Sequence, residues 1–112
     1  METYGNSDIA RITGLTKNQI INLSKTKIVK PHIDTPGGTG NRRVYDHENL
    51  IEFLICRDLK AAGVTDNAVE MVLNIYRKML NRENDFVYCN KGNVMIRVDL
   101  YSIREEAERG KA

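Results

Sequence analysis

Two short helix patterns separated by one tight turn constrain the fold of this chain most. Apolar residues after Ser7 predict a first helix that begins with Ser7 as its N-cap and ends at Gly14. The capping box Thr16-Lys17-Asn18-Gln19 follows almost at once, and its threonine hydroxyl and glutamine amide each satisfy a backbone donor. A second helix is therefore predicted over residues 17–24, and the two helices together form a helix-turn-helix unit.

The helical period divides the second helix into two faces. Ile20 and Leu23 are three positions apart and are expected to pack against the first helix. The opposite face is cationic and rich in amides, and it comprises Lys17, Asn18, Ile21, Asn22 and Lys25. Asparagine and glutamine can pair with adenine, and lysine can reach guanine or phosphate. This face is therefore either a nucleic-acid contact or an ordinary polar surface.

The charges of the chain are unevenly distributed, although the formal net charge is only +2. Residues 9–45 contain seven basic residues and one acidic residue, a net charge of +6. The rest of the chain contains ten basic and fourteen acidic residues, a net charge of −4. A basic third beside an acidic remainder indicates a surface for a polyanion, with a solvated run of charge as the alternative interpretation.

A segment rich in glycine and proline follows the second helix. The β-prone runs 29–31 and 42–45 flank it and predict a hairpin with His32 among its residues. No Lys-Ser or Lys-Thr follows Gly40, which excludes a phosphate-binding P-loop. Arg42 and Arg43 on the returning strand would grip a nucleic-acid backbone as a wing.

Two longer helices come next. Asp46 is the expected N-cap of the third helix, with His47 at its start, and Gly63 ends it. Thr65 is the expected N-cap of the fourth helix, which runs to about Leu80 with an apolar stripe at helical spacing.

Near the C-terminus the apolar residues recur at the two-residue period of a β-strand. Residues 86–89 and 94–100 predict a hairpin around a turn at 90–93, and Ser102 with Glu105 predicts a capping box that starts a short terminal helix. One face of the second strand is apolar, and it comprises Val94, Ile96, Val98 and Leu100. This face must pack on something, and we expect it to form a homodimer interface, with closure of the core of a monomer as the alternative.

Composition excludes several classes of protein. The 112 residues suit about one domain, and no apolar run is long enough to cross a membrane or to act as a signal-peptide core, so a cytoplasmic protein is expected. Cys56 and Cys89 lie far apart without a CxxC motif and are expected to be reduced core residues. The chain shows no clustered nucleophile, paired carboxylates or metal-ligand spacing, so we expect neither an enzyme nor a cofactor or metal site.

Five motifs in order resemble the DNA-binding domain of the MerR family. They are Ser7-Asp8-Ile9-Ala10, Thr13-Gly14-Leu15-Thr16, Ile28-Val29-Lys30-Pro31, Gly40-Asn41-Arg42-Arg43-Val44-Tyr45 and Leu59-Lys60-Ala61-Ala62-Gly63-Val64. The resemblance covers about half of the chain. It implies a mainly α fold with small β elements, namely a winged helix-turn-helix to which this chain adds a C-terminal β-hairpin and a short helix.

The resemblance also implies a function. MerR proteins are homodimeric transcription factors that bend and untwist promoter DNA, and on this basis Arg42, Arg43 and Tyr45 are wing contacts to the DNA backbone. The family commonly has Arg-Tyr-Tyr-Glu in its second helix, where this chain has Ile21-Asn22-Leu23-Ser24. The DNA contacts expected from the second helix are therefore Lys17, Asn18, Gln19, Asn22 and Lys25.

The tail departs from the family in a second way. A hairpin stands where MerR proteins usually have a long coiled-coil helix, as in short MerR-like proteins, and no cysteine cluster could hold a metal effector. We therefore expect no small-molecule effector. The predicted organisation is a DNA-binding domain at residues 1–82 and a possible dimerisation element at residues 83–112.

The sequence thus predicts a sequence-specific regulator of transcription that binds double-stranded DNA, with the recognition helix in the major groove and the wing on the backbone. An excisionase-like or architectural protein that bends DNA is the alternative. A protein-interaction module that has lost DNA binding is a third interpretation, to which the missing Arg-Tyr pair lends weight.

Overall fold

The computed structural model describes residues 2–33, 43–79 and 84–110, in which helices alternate with short antiparallel strand pairs. In chain order the described elements are β1 (Tyr4–Gly5), α1 (Asn6–Thr13), α2 (Lys17–Lys25), β2 (Val44–Tyr45), α3 (His47–Ala61), α4 (Asp66–Lys78), β3 (Phe86–Lys91), β4 (Val94–Asp99) and α5 (Leu100–Arg109). The described part is therefore a mixed protein with five helices and two small sheets, in agreement with the predicted balance of mainly α and little β.

The first helix begins two residues earlier than predicted. Its N-cap is Gly5 rather than Ser7, and the Asp8 carboxylate accepts the Gly5 N–H at 3.0 Å. An acidic residue in the third position can therefore complete the cap where the N-cap itself has no side chain. Gly14 ends the helix as predicted, with a φ of +79° that glycine adopts without strain.

The predicted pairing of residues 29–31 with 42–45 is wrong for the described part of the chain. Val44 and Tyr45 pair with Gly5 and Tyr4 in an antiparallel register, and the described residues 28–33 contain no strand. Most of the segment between them, including Arg42, lies outside the described residues. The strand partner of β2 is therefore the N-terminus, some forty residues away in sequence.

The caps of the two longer helices are confirmed. Asp46 accepts the Asn49 N–H at the start of α3, and Thr65 accepts the Ala68 N–H at the start of α4. Gly63 follows α3 with a φ of +82°. The fourth helix ends at Lys78, slightly before the predicted end at Leu80, which lies outside the described residues.

The C-terminal hairpin is longer and tighter than predicted. The first strand continues to Lys91 and the second begins at Val94. The turn therefore consists only of Gly92 and Asn93 rather than of four residues. The terminal helix starts earlier than predicted, because Asp99 and not Ser102 is its N-cap: the Asp99 carboxylate accepts the Ser102 N–H at 3.0 Å. The last residue of β4 therefore also caps α5.

A continuous core joins the N- and C-terminal elements. It includes residues of both predicted ranges, 1–82 and 83–112, and the boundary between these ranges lies outside the described residues. Across this core, Arg57 of α3 forms a bidentate ion pair with Glu106 of α5, with N–O distances of 2.9 and 2.6 Å. The hairpin and α5 are thus packed on the rest of the molecule.

The apolar face of β4, which the sequence predicts to form a dimer interface, is only partly available for one. Val98 and Leu100 are buried within one protomer, and Ile96 is half-buried. Val94, near the hairpin turn, is the member of this face that stays exposed. Closure of the core uses most of the face that the sequence assigned to the dimer.

No helix in the described ranges has the length and apolar character required to cross a membrane. Both cysteines are free and buried, as predicted.

The buried cysteines lead to a test of this core. Burial raises the pKa of the Cys56 thiol to about 12, so the reactive thiolate is scarce at neutral pH. We expect both cysteines to resist a maleimide reagent in the native protein at pH 7.5 and to react rapidly in denaturant. Mass spectrometry of the labelled protein measures this; fast modification of the native protein would contradict the packing described here.

Candidate nucleic-acid interface

The turn between α1 and α2 is built from backbone-capping side chains. The Thr13 hydroxyl donates to the Ile9 carbonyl at 2.7 Å and accepts the Leu15 N–H at 3.1 Å. Thr16 accepts the Gln19 N–H at 3.1 Å, and the Gln19 side-chain oxygen accepts the Thr16 N–H at 2.8 Å. These bonds confirm the predicted capping box and fix the direction in which α2 leaves the turn.

Helix α2 has the two faces that the sequence predicts. Ile20 and Leu23 are buried in the core. The opposite face is polar and solvent-exposed, with Ile21 half-buried at its margin, and its exposed members are Lys17, Asn18, Asn22 and Lys25. The helix contains no acidic residue, so nothing on α2 itself neutralises the two lysines.

The start of α2 is positively charged in two ways. Backbone N–H groups give every helix N-terminus a partial positive charge, and here Lys17 adds a full charge where acidic residues are usually favoured. Lys17 also lines a cleft of about 260 Å³ with Gly5, Asn6 and Ser7 at the start of α1. The Lys17 charge at the helix N-terminus destabilises the helix slightly. Together with the backbone N–H groups it attracts anions such as phosphate.

Gln19 is the α2 residue whose predicted role changes most. Its side chain is exposed, but its amide oxygen is occupied by the Thr16 N–H. A bidentate contact with adenine needs both the oxygen and the nitrogen of an amide. Gln19 can therefore contribute its amide N–H groups, whereas Asn18 and Asn22 are the better candidates for base contacts.

A buried asparagine holds the segment that leaves α2. Asn49 of α3, which has no exposed surface, donates to the Lys30 carbonyl at 2.8 Å and accepts the His32 N–H at 2.9 Å. His32 also lies 3.0 Å from the Asp46 carboxylate through its Nδ1 atom. Residues 30–32 are thus tied to the start of α3 by both backbone and side-chain contacts.

A buried ion pair holds the same segment from α4. Glu52 is 1% exposed, and its carboxylate accepts from the Nε atom of Arg77 at 2.7 Å. Arg77 in turn donates from Nη2 to the Ile28 carbonyl at 2.6 Å. We name Asn49, Glu52 and Arg77 the polar clamp, because together they connect α3 and α4 to the chain directly after α2.

The predicted wing residues differ in whether the structure describes them and in how deeply they are buried. Arg42 lies outside the described residues, and Arg43 is half-buried with its Nη1 atom enclosed. Tyr45 has no exposed surface; its ring packs edge-on against Phe53, with centroids 5.0 Å apart. Burial raises the pKa of Tyr45, an effect that the neighbouring Ser24 hydroxyl and Arg43 charge partly oppose. The predicted contact of Tyr45 with DNA is therefore wrong, and Tyr45 is a core residue.

Sequence reasoning did not identify the polar clamp. A signal was present, since Asn49 and Glu52 interrupt the apolar residues of α3 at a spacing of three. Their partners are remote, because Lys30 precedes Asn49 by 19 residues and Arg77 follows Glu52 by 25. Pairs at such separations are set by tertiary packing and leave no local pattern.

The described residues bring together no group of three or more His, Cys, Asp or Glu side chains that could hold a metal ion. Comparison of the chain with protein-family models and with curated proteins finds no match in either.

Proposed function

We propose that this protein is a winged helix-turn-helix regulator of transcription, similar to the MerR family, that binds double-stranded DNA in a sequence-specific manner. The observation that carries the proposal is the outer face of α2. This face exposes two lysines and two asparagines without an acidic residue, directly after a turn that fixes the helix direction. Lysine and asparagine are side chains that contact phosphate and base edges.

The dimensions of α2 suit this role. An α-helix with its side chains is about 10–12 Å in diameter, and the major groove of B-form DNA is about 12 Å wide. The buried Ile20 and Leu23 keep the opposite face on the core, so α2 can enter a groove without unfolding. Lys17 and Lys25 lie at the two ends of the helix, where they would reach the phosphates that border the groove.

The chain on either side of the segment proposed as the wing is held in place. Asn49 holds the chain at Lys30 and His32, and β2 holds it again from Val44 onward. The intervening segment carries Arg42 and several glycines. In the proposed complex this segment lies along the DNA backbone, and Arg42 contributes its charge there.

The proposal predicts a strong dependence of binding on salt. Four to six phosphate contacts per protomer give a slope of roughly −4 to −5 for the logarithm of the binding constant against the logarithm of salt concentration. Selection from a random duplex pool would provide the preferred site, and titration of that duplex at several salt concentrations would give the slope. Absence of binding at low salt, or a slope near zero, would contradict the proposal.

A further inference from the structure

The C-terminal hairpin leaves the outer edge of β4 open. β3 contacts α4 and α5, whereas β4 pairs, among the described residues, with β3 alone. The Leu100 N–H donates to the Asp85 carbonyl at 2.7 Å, which fixes the alternation of hydrogen-bonded pairs along the hairpin. By this alternation the backbone N–H and C=O groups of Met95 and Arg97 point away from β3. These two residues therefore present two donors and two acceptors to an additional strand.

This open edge borders a groove of about 530 Å³ that lies between β4, the end of α3 and α5. Its apolar lining comes from side chains of the core and its margin, such as Leu59, Val64 and Ile103. A strand edge can bind an extended peptide, because main-chain hydrogen bonds hold the peptide and neighbouring pockets take its alternate side chains. The groove supplies both parts of such a site.

The sequence of β4 does little to block the addition of a strand. Proteins usually protect an edge strand with lysine, proline or a bulge. β4 contains no lysine or proline, and it pairs with β3 in an unbroken register. Val94 and Met95 are 62% and 64% exposed. Methionine and arginine are enriched in protein interfaces, so the composition of this edge is typical of a covered surface.

The acidic side chains that line the groove are all engaged within the chain. They are Asp58, Asp99 and Glu106. Both oxygens of Glu106 accept from Arg57, and Asp58 accepts from the Nε atom of Arg57 at 2.9 Å. Both oxygens of Asp99 accept from Ser102, at 3.0 and 2.9 Å. The negative charge of the groove is therefore committed to intramolecular contacts.

Two arginines that line the groove are less committed. Arg97 forms no ion pair among the described residues, and its guanidinium lies over the Phe86 ring at 4.6 Å. Arg109 is 70% exposed and approaches Glu105 only to 4.0 Å. Arginine is well suited to bind a carboxylate, because its planar fork donates two parallel hydrogen bonds. The charge that the groove offers to a partner is therefore positive.

We propose that this groove binds an extended acidic segment of another protein, which adds to β4 as a third strand of the hairpin sheet. The geometry of a sheet specifies the side chains of this segment, since successive residues of a strand point to opposite faces. Residues on the same face as the buried Val98 enter the apolar groove. Residues on the opposite face lie beside Arg97 and are acidic, because opposite charges stabilise a cross-strand pair.

Alternation of apolar and acidic residues is thus the chemistry expected of the partner. The site is separate from the proposed DNA contact, since no residue of α2 lines the groove. The inference therefore goes beyond the proposed function and adds a protein partner to it.

Amide hydrogen exchange, followed by NMR, tests whether the edge is open. In the free full chain the N–H groups of Met95 and Arg97 should exchange fast, whereas those of Ile96 and Val98, which bond to β3, should exchange slowly. Slow exchange at Met95 and Arg97 in the free protein would show that the edge is already covered and would overturn the proposal.

The probe for binding is a short synthetic peptide of alternating valine and glutamate residues, blocked at both ends and labelled with a fluorophore. Fluorescence anisotropy with the full chain should give a dissociation constant below about 1 mM. The same peptide with lysine in place of glutamate should bind at least about fivefold more weakly. The valine-glutamate peptide should slow the amide exchange of Met95 and Arg97 and leave Tyr88, whose N–H points to the other edge of the hairpin, unchanged.

Two variants with matched controls locate the site. Ala61 and Ala62 are both exposed at the end of α3, and only Ala62 lines the groove. Ala62→Trp should fill the groove and raise the dissociation constant of the peptide at least about tenfold, whereas Ala61→Trp should leave it unchanged. Arg97→Gln should raise it about fivefold, whereas Lys91→Gln, at an exposed cation of β3 outside the groove, should not. Circular dichroism establishes that each variant is folded.

Each outcome of these measurements decides the proposal. Absence of binding, or equal binding of the glutamate and lysine peptides, overturns it. Binding that leaves the exchange of Met95 and Arg97 unchanged also overturns it, as does an equal loss of binding in Ala61→Trp and Ala62→Trp. None of these measurements contains DNA. A chain that binds the selected duplex but not the peptide contradicts the strand addition alone, and a chain that binds the peptide but no duplex contradicts the proposed function alone.

Discussion

Replacement of Arg77 by methionine is expected to lower the free energy of unfolding by about 3 kcal/mol. The substitution leaves the buried Glu52 carboxylate without its cation and the Ile28 carbonyl without its donor. Removal of one partner of a buried ion pair usually costs about 3–5 kcal/mol, and the partial exposure of Arg77 places the expected value at the lower end. Urea denaturation measures the change.

A double variant separates the ion pair from the packing of Arg77. When Glu52→Met is combined with Arg77→Met, neither charge of this pair remains, and the double variant should be more stable than Arg77→Met alone. Lys78→Met, at the adjacent exposed cation, is the matched control and should change stability by no more than about 0.5 kcal/mol. Equal stability of the Arg77→Met single variant and the double variant would contradict a role for the pair.

The polar clamp has a consequence beyond stability. Arg77 and Asn49 hold the carbonyls of Ile28 and Lys30, which lie between α2 and the segment that carries Arg42. The described chain directly after α2 is therefore held by α3 and α4 at Ile28 and Lys30. Two helices that the sequence presents as core elements thus also hold the described chain next to the candidate interface.

Local chemistry explains which parts of the fold could be predicted from the sequence. Thr16, Asp46 and Thr65 are predictable N-caps because a cap and the groups it satisfies lie within one helical turn. The local sequence pattern predicts the wrong N-cap for the C-terminal helix. Ser102 and Glu105 have the spacing of a capping box, but the strand ends at Asp99 and the chain turns there, so Asp99 takes the role of the cap.

Long-range pairing explains the larger misses. The partner of Val44 and Tyr45 is the dipeptide Tyr4–Gly5, and two-residue strands have too little pattern to reveal such a pairing. The MerR resemblance predicts a DNA contact for Tyr45, yet its ring fills the core beside Phe53. A single aromatic residue next to two arginines does not indicate which side of a short strand faces the core.

The candidate interface itself was more predictable than its surroundings. The period of α2 separates Ile20 and Leu23 from the polar face by geometry alone, and the structure buries the two apolar residues. The capping box also predicts that the Gln19 oxygen accepts a backbone N–H, and the structure confirms it. Asn18 and Asn22 are then the amides of the predicted set that take no part in the cap.

Asn18 and Asn22 are therefore the residues in which we expect sequence preference to reside. Replacement of either by alanine should weaken binding to the preferred duplex by about 1–3 kcal/mol and relax the preference at one base pair, since a bidentate contact with a base edge is lost. The matched control is Asn67→Ala, an exposed asparagine on α4, which should bind all duplexes as the unchanged protein does. Titrations against the preferred duplex and single-base variants of it measure both effects.

Lys17→Ala distinguishes base contacts from phosphate contacts on the same helix. Lys17 is exposed at the positive end of α2, so its loss should weaken binding to every duplex by a similar factor. The salt slope should decrease in magnitude by about 1, because one fewer counterion is released. Asn18→Ala and Asn22→Ala should leave this slope unchanged. A change of sequence preference in Lys17→Ala without one in either asparagine variant would reverse these assignments and place the lysine, rather than the amides, at the base edges.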